Sequence, residues 1–181
     1  MRKVVLYQLL TLDGVAEEPG DWFADDGPEL FDNLGRVIAS QDLVLLGRGT
    51  YDYWVDYWPR SDVEPFASFV NGTDKHVFTA DPPEPGWANT TFVSSPAEQH
   101  VADLKGRPGG DIGIHGSISL SRSLLRAGLV DELRLVVAAA VAGHGRRLFP
   151  DGDDPVRRLD LVDVERTAGG SLFLTYRTPV S

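Results

Sequence analysis

The sequence predicts a single α/β domain over residues 1–181, with a mixed, mostly parallel central sheet covered by helices on both sides. Three observations predict this fold class. Short apolar, β-rich runs alternate with helical patterns, as in parallel sheets. The runs at 4–10 and 42–46 are apolar almost throughout, which is typical of strands buried on both faces. Two β-rich stretches flank Gly169-Gly170 near the end of the chain, which predicts a closing antiparallel hairpin.

The first part of the chain predicts two strands and three helices. Asp13-Gly14 forms a turn after the first strand, and the acidic stretch at 15–28, rich in Gly and Pro, predicts a long loop. Pro28 suits the first turn of a helix, and apolar residues then recur at three- and four-residue spacing. The strands are predicted at 4–10 and 42–46, and the helices at 28–38, 51–58 and 61–71.

The remainder of the chain continues the alternation and then closes with the hairpin. Glycines or prolines separate most of its apolar runs, which favours short, regular elements. Strands are predicted at 75–79, 91–94, 111–114 and 131–137, helices at 95–104 and 117–128, and the hairpin at 157–167 and 171–177. We find no internal repeat and no linker, so one domain is the simplest interpretation.

Composition excludes several classes of function. The chain has no cysteine, which rules out disulfides, thiolate metal sites and cysteine nucleophiles. Its net charge of −10 opposes binding to nucleic acid, which needs clustered cations. No apolar stretch approaches the roughly 20 residues that span a membrane, and no secretory signal is visible. We therefore expect a soluble cytoplasmic protein that binds a small molecule, with neither nucleic acid nor membrane as a partner.

The strongest local signal is the strand–turn–helix segment that contains Gly47, Arg48, Gly49 and Thr50. Open α/β sheets bind ligands beyond the carboxyl ends of their strands, where helix N-termini offer N–H groups to anions. The glycines would let a phosphate approach the backbone, Arg48 adds a cation with fork geometry, and Thr50 adds a hydroxyl donor. The alternative is a plain turn with Thr50 as the N-cap and Arg48 solvated.

A second strand end carries a similar segment, formed by His115, Gly116, Ser117 and Ile118. It could hold another part of the same anion, with His115 as a further contact. The alternatives are a Ser117 N-cap and a structural His115. Thr79, at the end of another strand, could meet a 2′-phosphate or be ordinary strand-end polarity.

Carboxylates supply candidates for a group that exchanges protons with a bound substrate. Asp13 follows the first strand, and Asp32 shares a side of the first helix with Glu29. Asp21, Asp25 and Asp26 lie in the preceding loop, and a solvated acidic edge is the alternative for each of these residues. The four histidines are scattered without ligand spacing, so we expect no metal site. Arg146-Arg147 is interpreted as a solvated basic pair, with a phosphate contact as the alternative.

Five segments, in this order along nearly the whole chain, carry a resemblance to one family. They lie at 11–14, 45–51, 114–117, 124–133 and 143–149. The chain resembles the C-terminal domain family of bacterial bifunctional deaminase–reductases, which belongs to the dihydrofolate reductase superfamily. The resemblance implies a three-layer α/β/α dihydrofolate reductase-like fold, NADPH as hydride donor, and a homodimer.

The resemblance also implies roles for individual residues. Segments that match the NADPH phosphate-binding turns include Gly47, Arg48, Thr50, Gly116, Ser117 and Ile118. Thr79 falls near the position of the adenosine 2′-phosphate, and Asp13-Gly14 matches the loop beside the nicotinamide. Two departures stand out. The acidic position of dihydrofolate reductases falls at or beside Phe31, so Asp32 is only a candidate, and His115 replaces one of two paired glycines.

The sequence thus predicts an NADPH-dependent reductase of a pyrimidine- or pterin-like small molecule. The substrate most consistent with the family is 5-amino-6-(5-phosphoribosylamino)uracil, an intermediate of riboflavin biosynthesis. The alternative is a non-catalytic or regulatory protein that binds a nucleotide or another ligand and keeps the fold.

Overall fold

The computed structural model describes residues 1–24, 27–84, 86–149, 152 and 156–179. It contains one eight-stranded sheet in the order β4-β3-β2-β5-β1-β6-β8-β7. The strands are β1 (Val4–Leu10), β2 (Gln41–Gly47), β3 (Asp74–Phe78), β4 (Thr90–Val93), β5 (Asp111–His115), β6 (Glu132–Val137), β7 (Asp160–Arg166) and β8 (Leu172–Arg177). All neighbours pair in parallel except β6–β8 and β8–β7, which are antiparallel. The predicted fold class, a mixed and mostly parallel sheet with a closing hairpin, is confirmed.

Five α-helices in the described residues cover the sheet on both faces. They are α1 (Pro28–Ile38), α2 (Arg48–Tyr57), α3 (Phe66–Gly72), α4 (Ala97–Lys105) and α5 (Ile118–Arg126). Residues from α1, α2 and α3 pack with Val44 and Leu46 of β2. Residues from α4 and α5 pack with Leu45 of the same strand, whose side chain points to the other face. This alternation produces the three layers that the resemblance implied.

Two helices begin at positions that differ from the prediction. Helix α2 begins at Arg48 rather than Tyr51, because Gly47 adopts the N-cap conformation and the chain enters the helix directly from β2. Helix α3 begins at Phe66 rather than Ser61, because Pro65 disfavours helical geometry in the residue before it. The first difference matters for function, since it places Arg48, Gly49 and Thr50 inside the first helical turn.

The parallel arrangement gathers the functional candidates at one edge. Strands β3, β2, β5, β1 and β6 are consecutive in the sheet and run in the same direction, so their carboxyl ends adjoin. No helix in the described part of the chain has the length and apolar character needed to cross a membrane.

Candidate functional site

The turns after β2 and β5 meet through one hydroxyl group. Ser117 Oγ accepts a hydrogen bond from the backbone N–H of Gly47 at 3.0 Å and donates one to Thr50 Oγ1 at 2.9 Å. Ser117 is buried and lies two residues beyond the carboxyl end of β5, whereas Gly47 is the last residue of β2. The two segments that the sequence singled out therefore form one continuous surface.

Both helices that start at this surface lack a side-chain cap. Gly47 and Ser117 occupy the N-cap positions of α2 and α5, and neither helix start receives a side-chain hydrogen bond from the residues described. Ser117 occupies the N-cap position that the alternative gave it, but it directs its hydroxyl across to the other turn and does not cap its own helix. Thr50 lies within α2, so the interpretation of Thr50 as an N-cap is wrong. The first-turn N–H groups remain available to an anion, and the positive ends of two helix dipoles adjoin there.

Two glycines keep this surface open for different reasons. A Cβ at Gly49 would meet no atom within 4 Å, so the backbone of the first α2 turn is approachable from outside. Gly116 has φ +75°, which side chains rarely tolerate, and its Cβ would lie 3.5 Å from Cζ2 of Trp54. Trp54 also packs against Trp58 and Phe66, so a cluster of aromatic rings supports the turn at Gly116.

Arg48 extends the surface towards the end of β3. Its Nε donates to both carboxylate oxygens of Asp52, at 2.7 and 2.8 Å, and its Nη1 donates to the carbonyl oxygen of Asp81. Thr79 Oγ1 lies 3.2 Å from both the N–H and the carbonyl oxygen of Asp81. Arg48 and Thr79 thus share one neighbour at the rim of the site, and both remain partly exposed.

His115 does not face this surface. It is 3% exposed, its Nε2 lies 2.8 Å from Gln41 Oε1, and its ring contacts those of Phe66, Phe69 and Tyr7. A Cβ at Gly113 would lie only 2.0 Å from Gln41 Oε1 and 2.8 Å from His115 Nε2, so the pair occupies space that this glycine leaves free. Burial lowers the pKa of His115 to about 3, and the ring is neutral at physiological pH. The expectation of a cofactor contact is wrong, and the structural alternative describes His115.

Asp13 joins the loops that follow the adjacent strands β1 and β6. Its carboxylate accepts hydrogen bonds from Thr11 Oγ1 at 2.6 Å, from the N–H of Ala142 at 3.1 Å and from that of Gly143 at 2.9 Å. The hydroxyl of Thr11 and these two N–H groups lower the pKa of Asp13 to about 2. The carboxylate is therefore ionised and cannot supply a proton at neutral pH. Its contacts make it a residue that positions the β6 loop.

Replacing Asp13 with alanine is expected to loosen the loop after β6. The substitution removes the acceptor of two adjacent backbone N–H groups, so amide exchange at Ala142 and Gly143 should accelerate roughly tenfold or more. Hydrogen-exchange mass spectrometry measures this directly. Asp32→Ala is the matched control, because Asp32 has no partner among the described residues. Equal exchange in both variants would contradict the positioning role.

Asp32 makes no described contact with the other candidate residues. It is exposed on α1, whose buried residues are Asn33, Val37 and Ile38, and it forms no hydrogen bond or ion pair with the described residues. Glu29 accepts a hydrogen bond from Ala168 N–H at 3.1 Å, which ties α1 to the hairpin turn. The described contacts therefore do not connect Asp32 with the turns after β2 and β5. Asp25 and Asp26 lie outside the described residues.

The sequence interpretation missed the contacts of the arginine pair. Arg146 Nη2 donates to Ser119 Oγ at 2.7 Å, and Arg147 Nε donates to the carbonyl oxygen of Asp13 at 2.9 Å. Arg146 is exposed, as expected, but its guanidinium lies beside the first turn of α5. The signal that could have revealed this is the position of the pair in the glycine-containing loop that follows β6, the strand beside β1.

Comparisons with known proteins agree with this architecture. The sequence model of one family, described as the RibD C-terminal domain, matches residues 2–173. The uncharacterized protein YyaP of Bacillus subtilis (strain 168) is 29% identical over 182 residues, which cover 97% of this chain and 94% of YyaP.

Solved structures share the fold at low sequence identity. A candidate riboflavin biosynthesis protein of Shewanella sp. PV-4 superposes with a TM-score of 0.78 at 15% identity, over 98% of this chain and 99% of that one. The diaminohydroxyphosphoribosylaminopyrimidine deaminase/5-amino-6-(5-phosphoribosylamino)uracil reductase of Thermotoga maritima gives a TM-score of 0.69 at 18% identity. That match covers 98% of this chain and 57% of the longer protein.

Proposed function

The chain belongs to the RibD C-terminal domain family, and from this premise we propose that it is an NADPH-dependent reductase of a pyrimidine- or pterin-like small molecule. The observation that carries the proposal is the Ser117 bridge, which brings the uncapped starts of α2 and α5 together. Two adjacent helix N-termini with free N–H groups suit the two phosphates of a dinucleotide.

The residues present fit this cofactor. We place the diphosphate against the first turns of α2 and α5, where Gly49 leaves the backbone approachable. Arg48 and Thr79 would hold the adenosine 2′-phosphate, because both contact Asp81 at the neighbouring strand end. The nicotinamide would then lie towards the loops of β1 and β6, which Asp13 ties together. The local donors outweigh the unfavourable net charge of the chain, because phosphates respond most strongly to the nearest charges and dipoles.

When bound, NADPH supplies a hydride to a C=N or C=O bond of the acceptor. The protein's contribution is to hold donor and acceptor at reacting distance and to exclude water between them. The acceptor we propose is 5-amino-6-(5-phosphoribosylamino)uracil, the compound in the name of the Thermotoga maritima protein. Its phosphate needs a cation, and Arg146 beside Ser119 is suitably placed to provide one.

An assay of NADPH oxidation tests this proposal. Purified protein is mixed with NADPH and 5-amino-6-(5-phosphoribosylamino)uracil, and separately with dihydrofolate, and oxidation of NADPH is followed by absorbance. We expect steady oxidation with the pyrimidine and a slower rate, or none, with dihydrofolate. Failure to bind NADPH at all, measured by fluorescence titration, would remove the cofactor assignment and the enzyme with it.

One observation favours the second candidate function, a non-catalytic ligand-binding protein. Asp13 is held ionised and so cannot give a proton to a substrate at neutral pH, and Asp32 forms no hydrogen bond with the described residues. Tight NADPH binding without turnover of any pyrimidine or pterin would support this alternative. Steady turnover would exclude it, with water as the proton source.

Arg48→Ala is expected to weaken NADPH binding by about 1–3 kcal/mol, the scale of a lost charge-assisted hydrogen bond. The fold should be unaffected, because the ion pair of Arg48 with Asp52 is solvent-exposed and contributes little to stability. Fluorescence titration with NADPH and with NADH gives the readout, and Arg60→Ala, at an exposed arginine elsewhere, is the control. The loss should be larger for NADPH than for NADH, which lacks the 2′-phosphate. An equal loss for both cofactors would place Arg48 away from that phosphate.

The homodimer also stays a proposal. Strand β7 is exposed along its whole length at the edge of the sheet, and Leu161, Val162 and Val164 are each about half exposed. An apolar edge strand of this kind suits pairing with a second copy.

We likewise propose the cytoplasm as the site of function, since NADPH and pyrimidine intermediates are found there.

A further inference from the structure

Two histidines that are far apart in the sequence meet between β3 and α4. His76 lies on β3 and His100 on α4, and Nδ1 of His76 is 2.9 Å from Nε2 of His100. The centroids of the two rings are 5.0 Å apart, and both side chains are partly buried. Because 24 positions separate the two residues, no ligand spacing in the sequence indicates this pair.

Both imidazoles of this pair are available as metal ligands. Burial is the main cause that lowers the pKa of each ring, and the neighbouring His100 lowers the pKa of His76 further. At neutral pH the rings are therefore uncharged, which is the form that binds metal ions. Apart from the hydrogen bond between them, neither ring forms a hydrogen bond with the described residues.

The distance between the two nitrogens suits two neighbouring ligands of one metal ion. Imidazole nitrogens lie about 2.0–2.1 Å from a bound transition metal, so two of them at a right angle are about 2.8–3.0 Å apart. At the tetrahedral angle the same ligands are about 3.3–3.4 Å apart. The observed 2.9 Å therefore favours the right angle of tetragonal sites, which Cu²⁺ and Ni²⁺ prefer, over a tetrahedral Zn²⁺ site.

Two carboxylates and two guanidinium groups act electrostatically on the pair. They belong to Asp74, Asp103, Arg2 and Arg107. Asp74 is two residues before His76 on β3, and Asp103 is three residues after His100 on α4, so each carboxylate lies on the side of its element that carries the histidine. Both carboxylates are exposed, and their charges offset those of the guanidinium groups. The net charge of the chain, −10, favours the approach of a cation.

We propose that His76 and His100 bind one divalent transition-metal ion of tetragonal geometry, Cu²⁺ or Ni²⁺, through Nδ1 of His76 and Nε2 of His100. The ion replaces the hydrogen that lies between the two nitrogens, and this hydrogen moves through solvent to the other nitrogen of its own ring. No three His, Asp or Glu side chains of the described residues form a metal-binding group, so water completes the coordination. Neither histidine belongs to the proposed cofactor surface, so the metal site does not depend on the reductase assignment.

Isothermal titration of the wild-type protein, free of any affinity tag, with NiCl2 and with MgCl2 tests the proposal. We expect saturable one-site binding of Ni²⁺ and no binding of Mg²⁺, which prefers oxygen ligands. Ni²⁺ should also raise the melting temperature, because the two ligands are held together only in the folded chain. Absence of saturable Ni²⁺ binding, or equal binding of Mg²⁺, would overturn the proposal.

Three variants then locate the site. His76→Gln and His100→Gln should each weaken Ni²⁺ binding roughly tenfold or more, since each removes one of the two protein ligands. His144→Gln, at an exposed histidine elsewhere, is the matched control and should leave the affinity within twofold. Both test positions are partly exposed, so we expect the variants to fold, and their melting temperatures without metal check this. Unchanged affinity in His76→Gln or in His100→Gln would show that the pair is not the site.

Electron paramagnetic resonance of bound Cu²⁺ identifies the ligands independently of affinity. The wild-type spectrum should contain hyperfine couplings from two imidazole nitrogens, and that of His100→Gln should lose one of them. A spectrum that is identical in the wild type and in His100→Gln would place the ion elsewhere, and the proposed site would be wrong.

Discussion

Replacing Gly49 with aspartate is expected to weaken NADPH binding about 100-fold without lowering the stability of the protein. A Cβ at this position would meet no atom within 4 Å, so the larger side chain fits the folded chain. Gly49 lies in the first turn of α2, where an acidic residue interacts favourably with the helix dipole, by about 0.3–1 kcal/mol. Aspartate is also less costly than glycine within a helix.

The loss of affinity follows from charge. A carboxylate about 4 Å from a phosphate repels it by about 4 kcal/mol at the effective dielectric constant of a protein surface. A 100-fold loss corresponds to about 2.7 kcal/mol, which this repulsion supplies even after partial screening by salt. Fluorescence titration with NADPH measures the affinity, and thermal unfolding measures the stability.

Gly49→Asn separates charge from size, because asparagine has the shape of aspartate without its charge. We expect Gly49→Asn to bind NADPH much more tightly than Gly49→Asp, and the difference should shrink as salt is added. Identical affinities in the two variants would show that no phosphate lies near the first turn of α2. The cofactor position proposed above would then be abandoned.

Acidification is expected to destabilise the protein through His115, with a slope approaching 1.4 kcal/mol per pH unit below pH 6.5. Burial lowers the pKa of His115 in the folded state to about 3, whereas an unfolded chain keeps a value near 6.5. Between these values the unfolded state binds more protons, so the free energy of unfolding falls as the pH falls. Above pH 6.5 this contribution to stability is fully present.

Denaturant unfolding at a series of pH values between about 6.5 and 5 checks this prediction. His115→Gln should flatten the slope, while His144→Gln, at an exposed histidine, should leave it unchanged. Burial also lowers the pKa values of His76 and His100, so the slope should decrease without vanishing. Asp13 adds its own dependence only nearer pH 4 and below. Equal slopes for His115→Gln and the wild type would mean that His115 is not buried in solution.

Most of the architecture could be predicted from local patterns. The eight strands follow from short apolar runs bounded by glycine, proline or aspartate, and the hairpin follows from Gly169-Gly170. The starts of α2 and α3 could not be located so well. Gly47 is the N-cap of α2 and has ordinary extended dihedral angles, and no pattern of residue types predicts a helix start at this position. The order of the strands in the sheet is a tertiary property, and the sequence analysis did not predict it.

The turns of the candidate site could be predicted, because each is formed by residues that are neighbours in the sequence. The contacts between these turns could not, because they join residues that are far apart in the sequence. The two glycine-containing turns are visible in the sequence. The bond between Ser117 and Thr50 joins residues 67 positions apart, and that between Asp13 and Ala142 joins residues 129 apart. His115 was misassigned because its strand position indicates the ligand edge, while its side chain points into the core, where Gly113 leaves room.

The space left by the missing side chain of Gly113 makes positions 41, 113 and 115 interdependent during evolution. Any side chain added at Gly113 collides with the amide of Gln41. During evolution, the hydrogen-bonded pair Gln41–His115 would therefore have to change before Gly113 could be replaced. Epistasis of this kind makes the order of mutations matter: Gly113→Ala should be poorly tolerated alone and better tolerated once Gln41 is shortened. Homologous sequences should therefore contain these three residues as a set or replace them together.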